Sequence, residues 1–461
     1  MKRTLIRGAC VIAGSPVDPT VGVTNILIEN DIIAAIGADI TVSDAEVVDG
    51  TGRIIIPGLV NAHMHAWQTA LRGMSYDWSL MEYLLWVHRK LAGHFTPHDI
   101  HVGTLAGALN QIACGTTTLG DWCHNNPTPE HTDAAIEALR ESGIRAVFLH
   151  GTPRPLSAAR QQGLSEIPAH PKAELERILR GKLAERGSLL TLGMAIPGPE
   201  LSSPDVAMAD FRLAREFDLV VSMHHTSISA APPSKTWELL AAEGLMGPKV
   251  NIVHANHIDD NLLKRLVGAG VTITATPEVE LGDGHGDPIT GRLAALGDAP
   301  SLGIDIESAI SGEMLIAARM ALAHQRALDH AAANSARDKT ASPVVPRPAL
   351  KARDALAWAT IHGARAMGLE SQVGSIERGK QADLVVIDAR APNLQPIHDP
   401  VVTALHASLA NIEGVMIAGQ WRKRDGKLAY AGLADLHDSL AASGARIAAA
   451  GGWPPARADN G

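Results

Sequence analysis

Two histidines separated by one residue, His63 and His65, close the stretch Pro57-Gly58-Leu59-Val60-Asn61-Ala62-His63-Met64-His65. The apolar run around its start (Ile54, Ile55, Ile56, Leu59, Val60) reads as a buried strand, in which positions i and i+2 face the same side. Both imidazoles then leave one strand end together, which suits a zinc-like ion. The bland alternative is coincidence in a chain with 21 histidines. Further groups argue against it: His124, His150, His224, His225, His254, His257 and Asp305 fall at or just after the ends of other apolar, strand-like runs. Packing alone does not explain so many titratable side chains at one kind of position. Together they could hold a metal and move protons.

The runs that must position these groups are residues 59–65, 116–121, 145–150, 189–196, 219–225, 250–255, 271–276 and 301–305. Helical patterns lie between them at 132–141, 173–186, 204–216, 235–243, 259–268 and 288–296. Eight strands alternating with helices, without an internal repeat, predict a closed (β/α)8 TIM barrel, whose reactive groups sit at strand C-terminal ends. An open doubly wound sheet is the competitor, but no Gly-x-Gly-x-x-Gly follows the first strand. Short strands at 4–12, 23–29 and 32–36 precede the barrel, and others at 384–388 and 414–421 follow two long helices, about 313–334 and 352–367. A Pro-bearing loop is expected at 335–348 between those helices. The two ends therefore pair into one small sheet domain flanking the barrel. The expected domains are 1–56 plus 371–430 for that composite sheet domain, 57–370 for the barrel, and 431–461 for a C-terminal helix with a loose tail from 451.

A hydrophobic content of 46% and a charged content of 19% describe a globular chain long enough for a large core plus a smaller one. The net charge of -9 argues against a nucleic-acid partner, and no apolar run is long enough for a membrane span. The N-terminus lacks a signal-type apolar stretch because Arg7 interrupts it, so a cytoplasmic location is expected. Cys10, Cys114 and Cys123 are scattered without metal-type spacing and read as reduced thiols.

The stretch 57–65, together with Val221-Ser222-Met223-His224, Val253-His254, Ser301-Leu302-Gly303-Ile304-Asp305 and the segment from Gly374 to Asp388 (GSIERGKQADLVVID), resembles the amidohydrolase superfamily. Within it the likeness is to the branch of cytosine, guanine, adenosine-type and s-triazine aminohydrolases. The resemblance spans nearly the whole chain and implies a metal-bearing barrel flanked by a sandwich from both termini. It implies that His63, His65, His224 and Asp305 bind a single divalent transition metal, zinc first, with iron, manganese or cobalt as alternatives. It implies that Asp305 also accepts a proton from the attacking water and that His254 stabilises the oxyanion or orients that water. Two-metal relatives carry a bridging lysine at the end of strand 4, where this chain reads Ala195-Ile196-Pro197, so one metal is expected. A small-molecule substrate and a homo-oligomer follow from family habit.

Two departures stand out. Aromatic aminohydrolases of this branch place a proton-shuttling glutamate three residues after the strand-5 histidine, and here that position is Ser227. Purine deaminases of the branch place a histidine after strand 4, where this chain has Gly198-Pro199-Glu200. Candidate substitutes for the missing acid are Glu278 and Glu280, which alternation would put on one face, His285 in a glycine-flanked loop, and Glu200. His285 is taken as catalytic; Trp86, His124, Glu200 and Glu278 are taken as substrate-binding. Trp67, Trp78 and Trp86 could wall the pocket or pack a helix, and His225 points away from the ligand face. The expected activity is metal-hydroxide attack on a C–N bond of a small cyclic or heteroaromatic compound. Hydrolysis of an amide, urea, carbamate or thiocarbamate is the alternative that Ser227 favours, and an inactive binding scaffold is the remote one.

Overall fold

The computed structural model describes residues 2–152, 168–185, 188–225, 235–335, 337 and 342–454. Ser227 lies outside them, as does the end of the expected tail.

Eight parallel strands pair in chain order: Leu59–Met64, Thr116–Cys123, Arg145–Gly151, Leu190–Ala195, Val220–His225, Val250–His254, Thr272–Ala275 and Ser301–Leu302. The eighth is shorter than its apolar run. Beyond Leu302 the chain turns off the ladder, and Asp305 adopts a left-handed backbone with φ 64°. That turn closes the barrel: the backbone N–H groups of Ile304 and Asp305 both donate to the His63 carbonyl, and the His65 N–H donates to the Asp305 carbonyl at 2.7 Å. Gly303 makes the approach possible. A Cβ there would stand 2.7 Å from the His63 oxygen.

Inside the barrel, Val60, Ala62, Trp122, Val147, Leu149, Ala195 and Val220 pack with Ala364, Met367 and Leu369 from the C-terminal side of the chain. The barrel is thus a filled core, and its chemistry is confined to the rim at the strands' C-terminal ends. The helix Pro204–Glu216 starts and stops where the pattern places it, with Ser203 accepting from Val206 N–H as its cap. The helix expected to reach residue 186 ends at Arg180, before Gly181.

The second sheet has nine strands and draws on both ends of the chain, from Arg3–Ala13 to Arg53–Pro57 and from Leu384–Asp388 to Lys427–Leu428. Its central pairing is antiparallel, Ile55 opposite Val386. Strand alternation sends Ile54 and Ile56 into the core shared with the barrel and Ile55 into a separate one with Ile6, Val11, Ile26 and Met416. Arg145, at the start of the third barrel strand, grips Asp383 with both arms at 2.9 and 3.0 Å. Helix Leu433–Ala450 then returns to pack on helix Pro97–Ala113. None of the helices among the described residues is long and apolar enough to cross a membrane.

Candidate active site

The rim collects the histidines. His63 and His65 leave the first strand, His224 the fifth, and Asp305 the turn after the eighth; one ligand atom from each lies within 4.8 Å of the others. Asp305 Oδ1 stands 3.3 Å from His63 Nε2 and 3.4 Å from His65 Nε2, and His224 Nε2 is 3.2 Å from His63 Nε2. The second nitrogen of His65 donates to the Trp122 carbonyl at 2.7 Å, which fixes the tautomer and aims the Nε2 lone pair at the shared point.

Burial holds His65 down to about 3 and His224 well below the usual imidazole range, so both are neutral near pH 7. Burial alone would push the Asp305 carboxyl up, but His63, His254 and His65 outweigh it and hold the carboxyl well below its ordinary range. Three neutral imidazoles and a carboxylate with lone pairs on one point are the deprotonated donor set a divalent transition metal requires. The His63 Nδ1 has no partner among the described residues.

His254 stands beside this group on the sixth strand, its Nε2 3.9 Å from Asp305 Oδ2. Its Nδ1 lies 3.3 Å from Glu280 Oε1 and 3.1 Å from Thr276 Oγ1, while the Thr276 N–H donates to the same Glu280 oxygen at 2.9 Å. Glu280 thereby keeps the proton on Nδ1 and turns Nε2 to the centre. Burial pulls the His254 pKa down, yet Glu280, Asp305 and Asp283 overcome it and raise it. His254, its neighbour Ala255 and Asp305 all have positive φ (72°, 59° and 64°). Left-handed backbone at non-glycine residues costs about 1–3 kcal/mol each and clusters at functional sites.

The other expected residues spread around this centre. The His285 ring is buried 4.4 Å from that of His254, and burial takes its pKa down to about 3. His124 sits 4.5 Å, ring to ring, from His65 and contacts His88 at 3.2 Å. Glu200 accepts from Trp237 Nε1 at 2.8 Å. Trp86 packs with Trp78 and Trp453 and carries Lys90 on its face, an aromatic cluster beside the C-terminal helix. Glu278 and Glu280 do not share a face, because residues Pro277–Asp283 form a helix rather than a strand. Glu280 turns inward to His254, and Glu278 is raised by burial and by Glu313. His225 is buried, with its Nδ1 unpartnered among the described residues.

Sequence reasoning passed over three residues. The Trp122 ring lies 4.4 Å from His224 and 5.4 Å from His65 and forms one wall; its only signal was its place at the end of strand 2. Tyr83 receives a hydrogen bond from Gln68 Nε2 at 2.7 Å, so its own proton is directed to His88 Nε2, 3.2 Å away. Asp283 is 6% exposed and ends the helix that carries Glu280, and burial, with Asp305 adding to it, raises its carboxyl to about 7.

The amidohydrolase family profile matches residues 54–422. A 5-methylthioadenosine/S-adenosylhomocysteine deaminase of Symbiobacterium thermophilum is 29% identical over 373 residues, 79% of this chain and 80% of its own. A 5'-deoxyadenosine deaminase of Methanothermobacter thermautotrophicus is 27% identical over 418 residues, 88% of this chain and 90% of its own. Among solved structures, an adenosine deaminase from Xanthomonas campestris with bound zinc superposes with a TM-score of 0.79 at 23% identity, covering 97% of this chain and 98% of the other. The atrazine chlorohydrolase of Arthrobacter aurescens, complexed with zinc, gives 0.82 at 23% identity, covering 96% and 100%. At such identities the structures speak for the fold, while the profile spans most of the chain. The chain belongs to the amidohydrolase family, and it is a metal-dependent hydrolase acting on carbon–nitrogen bonds.

Proposed function

We propose that this protein is a mononuclear hydrolase that removes an amino group from a small cyclic or heteroaromatic compound. The observation that carries the reading is the convergence of His63, His65, His224 and Asp305, with His254 held beside them by Glu280. These four would hold one divalent transition metal, zinc first among the candidates. Such a metal supplies Lewis acidity, under which adjacent water ionises near pH 7 on zinc, about nine units below bulk water.

The chain's own groups divide the remaining work. Asp305 accepts a proton from the attacking water with the oxygen it turns toward His254. The Nε2 of His254 donates to the oxyanion that develops at the attacked carbon, an interaction that strengthens as charge builds. Trp122 and His124 border the space beside His65 and His224, and His285 borders it beside His254. The relatives' names point to adenine nucleosides as first substrates to try: 5'-deoxyadenosine, 5-methylthioadenosine and S-adenosylhomocysteine. A cytoplasmic homo-oligomer with the three domains bounded as above belongs to the same reading.

A second reading, hydrolysis of a urea, carbamate or thiocarbamate, is favoured by Ser227, since a hydroxyl does not donate a proton near neutral pH as a carboxylic acid does. The test is a panel on the zinc-loaded protein: ammonia release from the three nucleosides and from adenine, against amine release from phenylureas and carbamates. Ammonia from the purines supports the first reading, and amine from the ureas alone supports the second. No turnover of either kind, with zinc bound, would overturn both.

A further inference from the structure

The reaction needs a group that returns a proton to the departing nitrogen, and four acids or bases near the rim are already accounted for. Glu280 accepts from Thr276 N–H and from His254. Glu200 accepts from Trp237. Glu278 lies on a different side of its helix from Glu280, and burial and Glu313 raise it. Burial and His254 keep His285 neutral down to about pH 3, so near pH 7 it holds no second ring proton to release.

Asp283 differs from all of them. It ends the helix Pro277–Asp283, three residues after Glu280 and on the same inward side. Gly284, with φ 89°, terminates the helix; its N–H and that of His285 both return to the Glu280 carbonyl, which fixes Asp283 and His285 on either side of the turn. The residue is 6% exposed, yet its carboxyl receives no hydrogen bond or ion pair from any described residue. The turn it opens borders the centre, since the His285 ring, two residues on, stands 4.4 Å from that of His254, and Asp283 lies within electrostatic reach of His254, Tyr83 and Asp305. A mostly buried carboxyl without a protein partner is costly to keep, and a ligand in the adjoining space would complete it.

We infer that Asp283 touches the substrate and carries a proton from the attacking water to the leaving nitrogen, the task that Ser227 cannot perform. The balance is closed. Water adds to the sp2 carbon, forming the C–O bond. Asp283 gives its proton to the nitrogen as the C–N bond breaks with its electron pair going to nitrogen, and regains a proton from the added hydroxyl, while the proton that Asp305 took from the water passes to the ring nitrogen; the products are the oxo compound and ammonia. A carboxyl that burial holds near pKa 7 is matched to both halves of that exchange at neutral pH.

The inference rests on the hydrolase reading above, and the test separates the two. Adenosine and 6-chloropurine riboside differ only in the displaced group, and chloride leaves without a proton. With zinc loaded, Asp283→Asn should lower ammonia release from adenosine by about 100-fold or more and chloride release by less than about tenfold, at unchanged zinc content. An equal fall for both groups, or no fall for adenosine, overturns the proposal. A second arm needs no turnover: the thermal midpoint of Asp283→Asn relative to the parent at pH 5.5 and 8.5. An unpaired carboxyl whose folded pKa is raised weakens the fold increasingly as pH rises toward that value, so the variant should gain over the parent, by about 3 °C or more at the higher pH and by less at the lower. A variant less stable at both pH values would mean that Asp283 is a structural acceptor, and would overturn the proposal. If neither ring compound turns over, the aromatic reading fails while this arm still decides the state of Asp283.

Discussion

The nitrogens His63 Nε2 and His224 Nε2, 3.2 Å apart, can share at most one proton, and Asp305 Oδ1 adds a third electron-rich atom 3.3 Å from His63. A cation is what relieves such a cluster. Removing one ligand should therefore remove the metal: His224→Ala is expected to lower bound zinc from one per chain to below about one fifth and to abolish turnover, read by elemental analysis on folded protein. His254→Gln should keep the zinc and lose about 100- to 1000-fold in kcat, because it removes a donor that acts as charge develops. In Glu280→Gln the His254 pKa should fall, since its raising partner is neutralised, and imidazole NMR titration reads this directly. Parental His254 favours the folded state fully below its unfolded pKa and loses that contribution as pH rises through its higher folded one. At this scale the gathering of histidines at strand ends was readable from spacing, while the choice of His63, His65, His224 and Asp305 among them came from the family resemblance. Asp283, Trp122 and Tyr83 were not readable, because one aspartate in a glycine-rich turn or one aromatic in an apolar run carries no periodic mark.

Among the elements, the junction of the first and eighth strands does the positioning. Three backbone hydrogen bonds between residues 63–65 and 304–305 set where Asp305 arrives, and Gly303 lets the two strands meet. Gly303→Ala puts a methyl against the His63 carbonyl and Cβ, at 2.7 and 2.8 Å, so one strand must move. The expected outcome is a loss of about 1–3 kcal/mol in urea unfolding together with weaker zinc retention, from overpacking at a site that has no room to relax. The strand and helix order was legible from apolar runs and their spacing. The helix Pro277–Asp283 was not: its Glu-Val-Glu alternation reads as a strand, and only the return of the chain to the rim makes it helical, with Glu278 and Glu280 on different sides. Likewise the left-handed turn at Asp305 comes from barrel closure, which no local pattern encodes.

For the whole molecule, the terminal sheet and the barrel share one apolar core through Ile54 and Ile56, and Arg145 and Asp383 lock them with a bidentate pair whose side chains are 6% and 1% exposed. Asp383 also accepts from the Ala418 N–H at 2.8 Å, so it anchors the late strands as well. Breaking a buried pair leaves a charge stranded: Asp383→Ala is expected to cost about 3–5 kcal/mol, with sheet and barrel still unfolding in one transition. A second, separate transition would show that the sheet is an independent unit. That the two ends of the chain meet was legible from β patterning at both ends. Their joining into one nine-stranded sheet was not, since strand partners across more than 300 residues are set by the barrel between them.

The most direct measurement of the central claim is X-ray absorption at the zinc edge on the loaded protein, with zinc counted per chain. The account predicts one zinc coordinated by three imidazole nitrogens and oxygen at about 2.0–2.2 Å, with an imidazole signal lost in His224→Ala. Sulfur in the coordination sphere, two zinc ions per chain, or a signal unchanged in that variant would contradict it.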